Sequence, residues 1–328
     1  MLVSVVIAAY NGERFILRQL ESIKKQTRQV DEVIICDDRS TDNTVSLVRD
    51  FINENKLENW NIYINEKNVG YCFNFYGAIE RAKGDIIFLS DQDDMWAENK
   101  VERMCEVFES EPDIYSLACR YDVIDADDNK IKNADIPYLG ERFDGSVEPQ
   151  SVDSFIGCSH IRGFSMAFRN AVKEYLKPLD LTSLLAHDWY INLISAALGK
   201  ACVLNEKLGF YRWHDSNVSL SGMSRQTLIG DREKRKRGLR ESIIAHRTVA
   251  EDFAHKYSET DIKNLLRQAR LEELRLRLLE SKNPFLIFSL LRFKDSYARY
   301  YKFAPWYRVF IGDICYTYNI NLKKPKAR

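Results

Sequence analysis

Two acidic segments carry the chemistry that is easiest to name in this sequence. Asp37-Asp38-Arg39-Ser40-Thr41-Asp42 follows an apolar run at residues 33–36, and Ser90-Asp91-Gln92-Asp93-Asp94-Met95-Trp96 follows another at residues 85–89. Carboxylates crowded in this way repel one another and need a counter-charge. A divalent cation held by hard oxygen ligands supplies one, and it also bridges the phosphates of a substrate. Taken singly, each segment has a plainer reading: residues 37–42 as a cap on the following helix, residues 91–94 as a solvated turn. Two acidic loops at neighbouring strand ends favour the chemical reading. The usual phosphate-binding turns are not found. The turn after the first apolar run is Tyr10-Asn11-Gly12-Glu13-Arg14-Phe15, which lacks GxGxxG, and no GxxxxGK[ST] segment occurs.

Loops of this kind work together only if a sheet brings their ends to one edge. Residues 2–9 form a β-rich run that stops at Asn11-Gly12, and residues 15–25 then place Phe15, Ile16, Leu20 and Ile23 at helical spacing. A strand at 33–36 precedes a helix through Val45, Val48 and Ile52, and a weaker strand at 62–64 precedes a turn at 68–70. A helix through Phe73, Ala78 and Ile79, capped by Gly84, leads to the strand at 85–89. Strands buried on both faces and separated by helices imply an α/β fold with a parallel sheet, and such sheets bind ligands at the carboxyl ends of their strands. Beyond Pro112 the pattern loosens: a strand at 114–121, a polar loop or insertion at 122–145, a strand at 164–168, a helix at 187–198 and a last strand at 208–213. From about residue 225 the sequence changes character, with a long amphipathic helix at 265–279. The expected division is therefore a catalytic domain at 1–225 and a basic, aromatic-rich helical region at 226–328.

Three segments in order, Ser4-Val5-Val6-Ile7-Ala8-Ala9-Tyr10-Asn11-Gly12, the stretch 31–42 (DEVIICDDRSTD) and the stretch 84–94 (GDIIFLSDQDD), resemble the family-2 glycosyltransferases. The strong resemblance covers about residues 1–110, with weaker anchors to about 220, and the last hundred residues fall outside it. It implies the GT-A fold, a Rossmann-like, mixed but mainly parallel sheet flanked by helices, here with a helical C-terminal extension. It also implies that Ala8, Tyr10, Asp37 and Asp38 hold the base and ribose of a nucleotide-sugar, with Asn11, Gly70, Asp91 and Arg212 completing that set. Asp91 and Asp93 match the ends of the family's DxD motif, with Asp93 the more direct ligand of Mn²⁺ or Mg²⁺. Asp94 and Trp96 extend the motif to DQDDxW, which is similar to a subgroup rich in bacterial rhamnosyltransferases and other cell-surface polysaccharide enzymes; Trp96 is expected on the acceptor side.

His187-Asp188-Trp189 opens an amphipathic helix and resembles the family's ED or DD motif, whose second residue is the base. Asp188 is the expected catalytic base, with His187 on the acceptor side in place of the usual acidic neighbour. A helix-capping role for Asp188 is the alternative. Tyr211-Arg212-Trp213-His214-Asp215-Ser216-Asn217-Val218-Ser219 resembles a YRxHxxNxS segment of the same subgroup. Its cation and imidazole suit a diphosphate and its metal, so His214 joins the expected metal ligands, against a surface histidine at a strand end. Gly163 stands where the family often leaves room for an acceptor sugar. One base, one metal and no second carboxylate placed as a nucleophile fit a single displacement with inversion. The implied reaction moves a sugar, rhamnose from dTDP-rhamnose first, onto a glycan acceptor linked to polyprenyl diphosphate in bacterial surface polysaccharide synthesis. A hexosyltransferase using a UDP-sugar and a non-catalytic scaffold with this fold are the alternatives. A sugar-nucleotide pyrophosphorylase would need a GxGxR-like turn after the first strand, which is missing.

Composition limits the partners. The chain has 48 basic and 48 acidic residues, but residues 231–328 carry 23 Lys+Arg against 12 Asp+Glu, an excess of +11 that the first 230 residues balance at −11. The seven cysteines, at 36, 72, 105, 119, 158, 202 and 315, form no CxxC pair, which argues for a reducing compartment and against a structural zinc site. No signal-peptide pattern opens the chain, and no apolar run reaches the ~18–20 residues of a membrane span. The expected location is cytoplasmic, peripheral on the inner face of the cell membrane. The basic end reads either as a helical subdomain or as a surface for anionic lipid headgroups; no nucleic-acid-binding motif accompanies it.

Overall fold

A computed structural model of the chain describes residues 1–131, 142–157, 161–176, 187–215, 232–298, 306–318 and 320. The described residues fall into two compact units, the first from 1–151, 159–181 and 186–215, the second from 152–158, 182–185 and 216–328. The boundary expected near residue 225 and residues 132–141 of the expected polar insertion lie outside the described residues, and residues 122–124 of that insertion continue a strand.

The first unit is built on a nine-stranded mixed sheet: β1 (Val3–Ala9), β2 (Glu32–Asp37), β3 (Trp60–Ile64), β4 (Ile86–Asp91), β5 (Met95–Trp96), β6 (Ile114–Ile124), β7 (Val147–Gln150), β8 (Met166–Arg169) and β9 (Lys200–Arg212). The order is β3-β2-β1-β4-β8-β6-β9-β5, with β7 also on β9. Strands β3, β2, β1 and β4 are parallel, β8 runs antiparallel between β4 and β6, and β6 is parallel to β9. Val3, Val5, Val6 and Ile7 are buried on both faces of β1, as a central strand covered by helices requires. Five helices flank the sheet: α1 (Ile16–Lys24), α2 (Thr44–Glu54), α3 (Tyr71–Arg81), α4 (Lys100–Ser110) and α5 (His187–Leu198). Helix α1 buries Ile16, Leu20 and Ile23, one stripe of a 3.6-residue period.

The register fixes where the loops emerge. Ala8 lies opposite Cys36 of β2 and Asp91 of β4, and Ala9 lies opposite Asp37, so three carboxyl ends meet at one edge. Gly84 does not cap α3, which ends at Arg81 with extended Ala82 after it. Its reason is the approach of β1: a Cβ at 84 would lie 2.6 Å from the Ser4 backbone nitrogen. The strand expected at 164–168 opens instead as a tight turn over Gly163–Ser165 and pairs only from Met166.

The second unit contains α6 (Arg232–Asp252), α7 (Glu259–Ser281), α8 (Phe285–Leu290), α9 (Lys294–Ala298) and α10 (Tyr307–Tyr318). Ser258 caps α7, its hydroxyl accepting the Asp261 amide at 3.1 Å. Leu271, Leu274, Leu278, Leu290, Tyr297 and Phe310 form the core. Beside it Asp313, fully buried, accepts hydrogen bonds from Arg275 (2.8 and 3.1 Å), from Tyr297 (2.8 Å) and from Arg235. Burial alone would raise the Asp313 carboxyl, but Arg275 and Arg235 outweigh it and hold it below its ordinary range. With its folded pKa depressed, Asp313 contributes stability that is present above the unfolded value of ~3.9 and lost as pH falls through the folded one. Asp313→Ala strands Arg275 in the interior and is expected to cost about 3–5 kcal/mol, read by urea denaturation followed by circular dichroism at pH 7. A cost under ~1 kcal/mol would show that the arginines find other partners.

Candidate active site

The loops at the sheet edge are tied to one another before any ligand is considered. After β1 the chain turns through Asn11 in the left-handed region (φ 47), whose side-chain oxygen accepts the Thr41 amide at 2.8 Å. Gln92, the middle residue of the DQD segment, pairs with Tyr10 in both directions: its oxygen accepts the Tyr10 amide at 2.8 Å and its nitrogen donates to the Tyr10 carbonyl at 2.9 Å. A side chain at Gly12 would run into Gln92. Asp37 is buried and accepts the Ser40 amide at 2.9 Å and the Ser40 hydroxyl. Asp38, also buried, accepts from the amides of Val69 (2.8 Å) and Gly70 (2.7 Å) and from Asn65 (2.9 Å). The pair therefore folds its own loop and the 68–70 turn, where Gly70 takes φ 88; both carboxylates spend hydrogen bonds on backbone. Ala8 and Tyr10 stay accessible, Tyr10 at 46% exposure.

The second acidic segment is held from below. After Asp91 the chain forms β5, an element the sequence did not suggest, which pairs Met95 and Trp96 with Phe210 and Gly209 of β9. Arg212 at the end of β9 has a side chain with no exposure. Its Nε donates to the Asp93 carbonyl at 2.7 Å, its backbone amide donates to Asp94 Oδ1 at 2.8 Å, and Nη1 reaches the Asp125 carbonyl and Asp128. Arg212 thus lies beneath the DQDD loop and sets its backbone, where the sequence placed it against the nucleotide-sugar. Two residues on, His214 Nε2 lies 2.8 Å from Asp93 Oδ2. Burial pushes the Asp91 carboxyl up to about 7, and the charges of Asp93 and Asp188 push the same way. Burial, with the charges of Asp93 and Asp91, also raises Asp94 well above its ordinary range; its Oδ2 has no hydrogen-bond partner among the described residues.

Asp188 reaches this group from the far end of the chain. It stands in the first turn of α5, accepting the Gly163 amide at 3.1 Å and the Trp189 amide at 2.7 Å. Its charge is felt at Asp91, so carboxylates from β4, the following loop and α5 share one site. Gly163 packs closely on the helix start: a Cβ there would sit 3.0 Å from His187 Nε2. His187 is 5% exposed, stacked on Phe75 at 4.0 Å, with neither ring nitrogen bonded among the described residues, and burial lowers its pKa. It is a packing residue, not an acceptor-facing one. Trp96 is likewise corrected to the core, 3% exposed against Phe88.

Two cations escaped the sequence reading. Lys100 is fully buried at the first position of α4, with Nζ 2.7 Å from the Phe164 carbonyl and 4.0 Å from the centre of the Trp96 ring. Burial lowers it to about 8, while Asp94 and Asp91 favour its charge. Arg162, half-buried, bonds Tyr121 Oη at 3.1 Å, lies over the Tyr211 ring and opposes the raised pKa of both Asp91 and Asp94. A positive charge at a helix N-terminus, where the macrodipole disfavours it, was the signal for Lys100. Arg162 left none, because its partners lie far along the chain.

Carboxylate oxygens of Asp91 and Asp93 with the imidazole of His214 are a donor set suited to Mn²⁺ or Mg²⁺. Among the described residues no three His, Cys, Asp or Glu side chains are grouped tightly enough to hold an ion by themselves, so a bound cation would draw further oxygens from a ligand.

Comparison with known proteins bears on the fold and the family. The family model described as glycosyl transferase family 2 matches residues 4–176. An uncharacterized glycosyltransferase of Nostoc sp. is 30% identical over 227 residues, which is 68% of this chain and 68% of that one. The UDP-Glc:alpha-D-GlcNAc-diphosphoundecaprenol beta-1,3-glucosyltransferase WfaP of Escherichia coli is 36% identical over 124 residues, covering 37% of this chain and 46% of the enzyme, less than half its length. The crystal structure of S. aureus TarS 1–349 in complex with UDP-GlcNAc superposes with a TM-score of 0.64 over 92% of this chain and 82% of that one; at 14% identity the likeness is one of fold. The mainly parallel sheet with flanking helices is that GT-A-like fold, and the chain belongs to glycosyltransferase family 2 and is a glycosyltransferase.

Proposed function

We propose that the enzyme transfers a hexosyl group from a nucleoside-diphosphate sugar to a lipid-linked glycan, with inversion, at the cytoplasmic face of the membrane. The observation that carries the reading is the meeting of two segments: Asp91 and Asp93 where β4 ends at the carboxyl edge of the sheet, with His214 on Asp93, and Asp188 in the first turn of α5, held by the Gly163 amide and acting on Asp91. The donor's base and ribose lie along Ala8, Tyr10 and the 68–70 turn organised by Asp38. Its diphosphate faces Asp91, Asp93 and His214, which would hold Mn²⁺ or Mg²⁺; a bound ion supplies positive charge against the leaving nucleoside diphosphate. Arg162 and Lys100 add fixed positive charge on the protein side of the same loop. Asp188, oriented by the Gly163 amide, accepts the proton of the attacking acceptor hydroxyl as the anomeric bond to the diphosphate breaks. Only one carboxylate is assigned to the attacking side, which supports single displacement.

Two donors remain in view. The DQDDxW resemblance supports dTDP-rhamnose; the glucosyltransferase activity of WfaP and the UDP-GlcNAc complex of TarS support a UDP-hexose, and we place the UDP-sugar first. The acceptor of WfaP carries diphosphoundecaprenol, which supports a polyprenyl-diphosphate-linked acceptor here, in surface polysaccharide synthesis. Hydrolysis and transfer by the purified protein across UDP-, dTDP- and GDP-sugars decide the donor; no turnover of any of them would leave a non-catalytic scaffold.

Asp188→Asn retains donor binding and loses transfer by ~10²-fold or more, the scale of a missing general base. Transfer at the wild-type rate would remove Asp188 from the mechanism. Chelation by EDTA abolishes transfer, and Mn²⁺ or Mg²⁺ restores it in the wild type but only weakly in His214→Ala. Unimpaired turnover in EDTA would show that the donor set binds no essential ion.

A further inference from the structure

We propose that residues 282–294 form an insertion element by which the second unit enters the headgroup boundary of an anionic bilayer. The proposal deepens the lipid-linked reading above, naming the surface that such an acceptor requires. Helix α8 and the single tight turn that continues it to Phe293 are apolar on two sides. Leu286, Ile287, Leu290 and Phe293 pack into the core of the unit. Phe285, Phe288 and Leu291 point outward, 76%, 70% and 42% exposed. Their spacing of three puts them in one row on one side of the helical segment. Single exposed apolar residues are ordinary, but a contiguous row led by two phenylalanines marks a surface that is covered in use.

The charge around the row selects the occupant. Lys282, Arg292 and Lys294 are exposed at its two ends; the acidic residues beside them are Asp295 and Glu280, the latter paired with Arg240. Phenylalanine rings framed by long cationic side chains match the boundary between acyl chains and phosphate headgroups: the rings pass below it, while the ammonium and guanidinium groups stay among the phosphates. An antiparallel two-fold contact between copies of this row would set Lys282 of one copy toward Arg292 and Lys294 of the other, and like charges across an interface are costly. No helix among the described residues is long and apolar enough to cross a membrane, so this element lies in the surface plane. The excess of 23 basic over 12 acidic residues across 231–328 attracts the same surface from a distance.

Insertion and attraction separate experimentally, because salt screens charges over ~8–10 Å and leaves burial of phenylalanine intact. The test is sedimentation of the full-length protein with phosphatidylcholine vesicles, with and without ~30% phosphatidylglycerol, at low salt and at ~0.5 M NaCl. Wild type binds the anionic vesicles at least about tenfold better than the neutral ones and stays partly bound at high salt. The double variant Phe285→Ser/Phe288→Ser, with unchanged helical circular dichroism, loses at least about tenfold at both salts. In Phe285→Trp, tryptophan emission shifts to the blue on vesicle addition. Equal binding by wild type and the double variant overturns the proposal, as does complete release of the wild type by salt. A wild-type dimer that the double variant dissolves assigns the row to a second copy and also overturns it. Vesicle binding needs no sugar transfer, so failure here leaves the active-site reading untouched, and an inactive enzyme that still binds through this row leaves the insertion element standing.

Discussion

Mutual repulsion of carboxylates is the constraint around which the first unit is organised. Asp91, Asp93, Asp94 and Asp188 meet at the edge of the sheet, and burial plus like charge push Asp91 and Asp94 toward their protonated forms. An isolated cluster of this kind would unfold its own loop or neutralise itself. The surrounding chain instead delivers cations from three directions: Lys100 from α4, Arg162 from the turn before β8, and Arg212 from the end of β9. Lys100 shows the strength of that demand. A lysine at a helix N-terminus opposes the macrodipole, and a buried one gives up its hydration; only a strong nearby negative potential and the Phe164 carbonyl make the position tolerable.

A division of labour among the aspartates follows. Asp37 and Asp38 spend their oxygens on Ser40, Val69 and Gly70, and Asp94 is engaged by the Arg212 amide. These groups build the walls. Gln92 ties the β4 loop to the β1 loop through Tyr10, doing with one amide side chain what a further pair of ladder hydrogen bonds would do. Asp188 likewise accepts the Gly163 and Trp189 amides, and Asp93 lies against His214, so these carboxylates too are fixed in place, and loops pinned in this way pay less ordering entropy when a ligand binds.

The sheet was legible because its strands obey local rules. Buried parallel strands are continuous apolar runs, their helices keep a 3.6-residue stripe, and the acidic loops stand where each run stops. From that pattern the edge shared by Asp37 and Asp91 could be foreseen. What stayed hidden depends on pairing across distance. Strand β8 enters between β4 and β6 from a separate segment, and that placement, invisible in periodicity, brings Arg162 and Gly163 to Asp188. Burial of polar residues was equally unreadable: Arg212, His187 and Trp96 have side chains that suit ligands, yet each lies under the surface that the sequence assigned it to. At Gly163 the structure shows close packing on His187, where a Cβ would sit 3.0 Å from Nε2.

The segregation of charge along the chain completes the physical picture. A net of −11 over the first 230 residues is an unfavourable background for an anionic nucleotide diphosphate, and the proposed site answers it locally, with the fixed cations Lys100 and Arg162 and the donor set proposed for an ion. Beyond residue 230 the sequence carries the opposite excess, 23 basic against 12 acidic residues, and a diffuse field of this kind suits an extended anionic surface better than a compact ligand. A neutral total therefore conceals two different solutions to the attraction of phosphate: one concentrated, directional and dependent on buried geometry, the other long-ranged, screened by salt and in need of an apolar row to make it last.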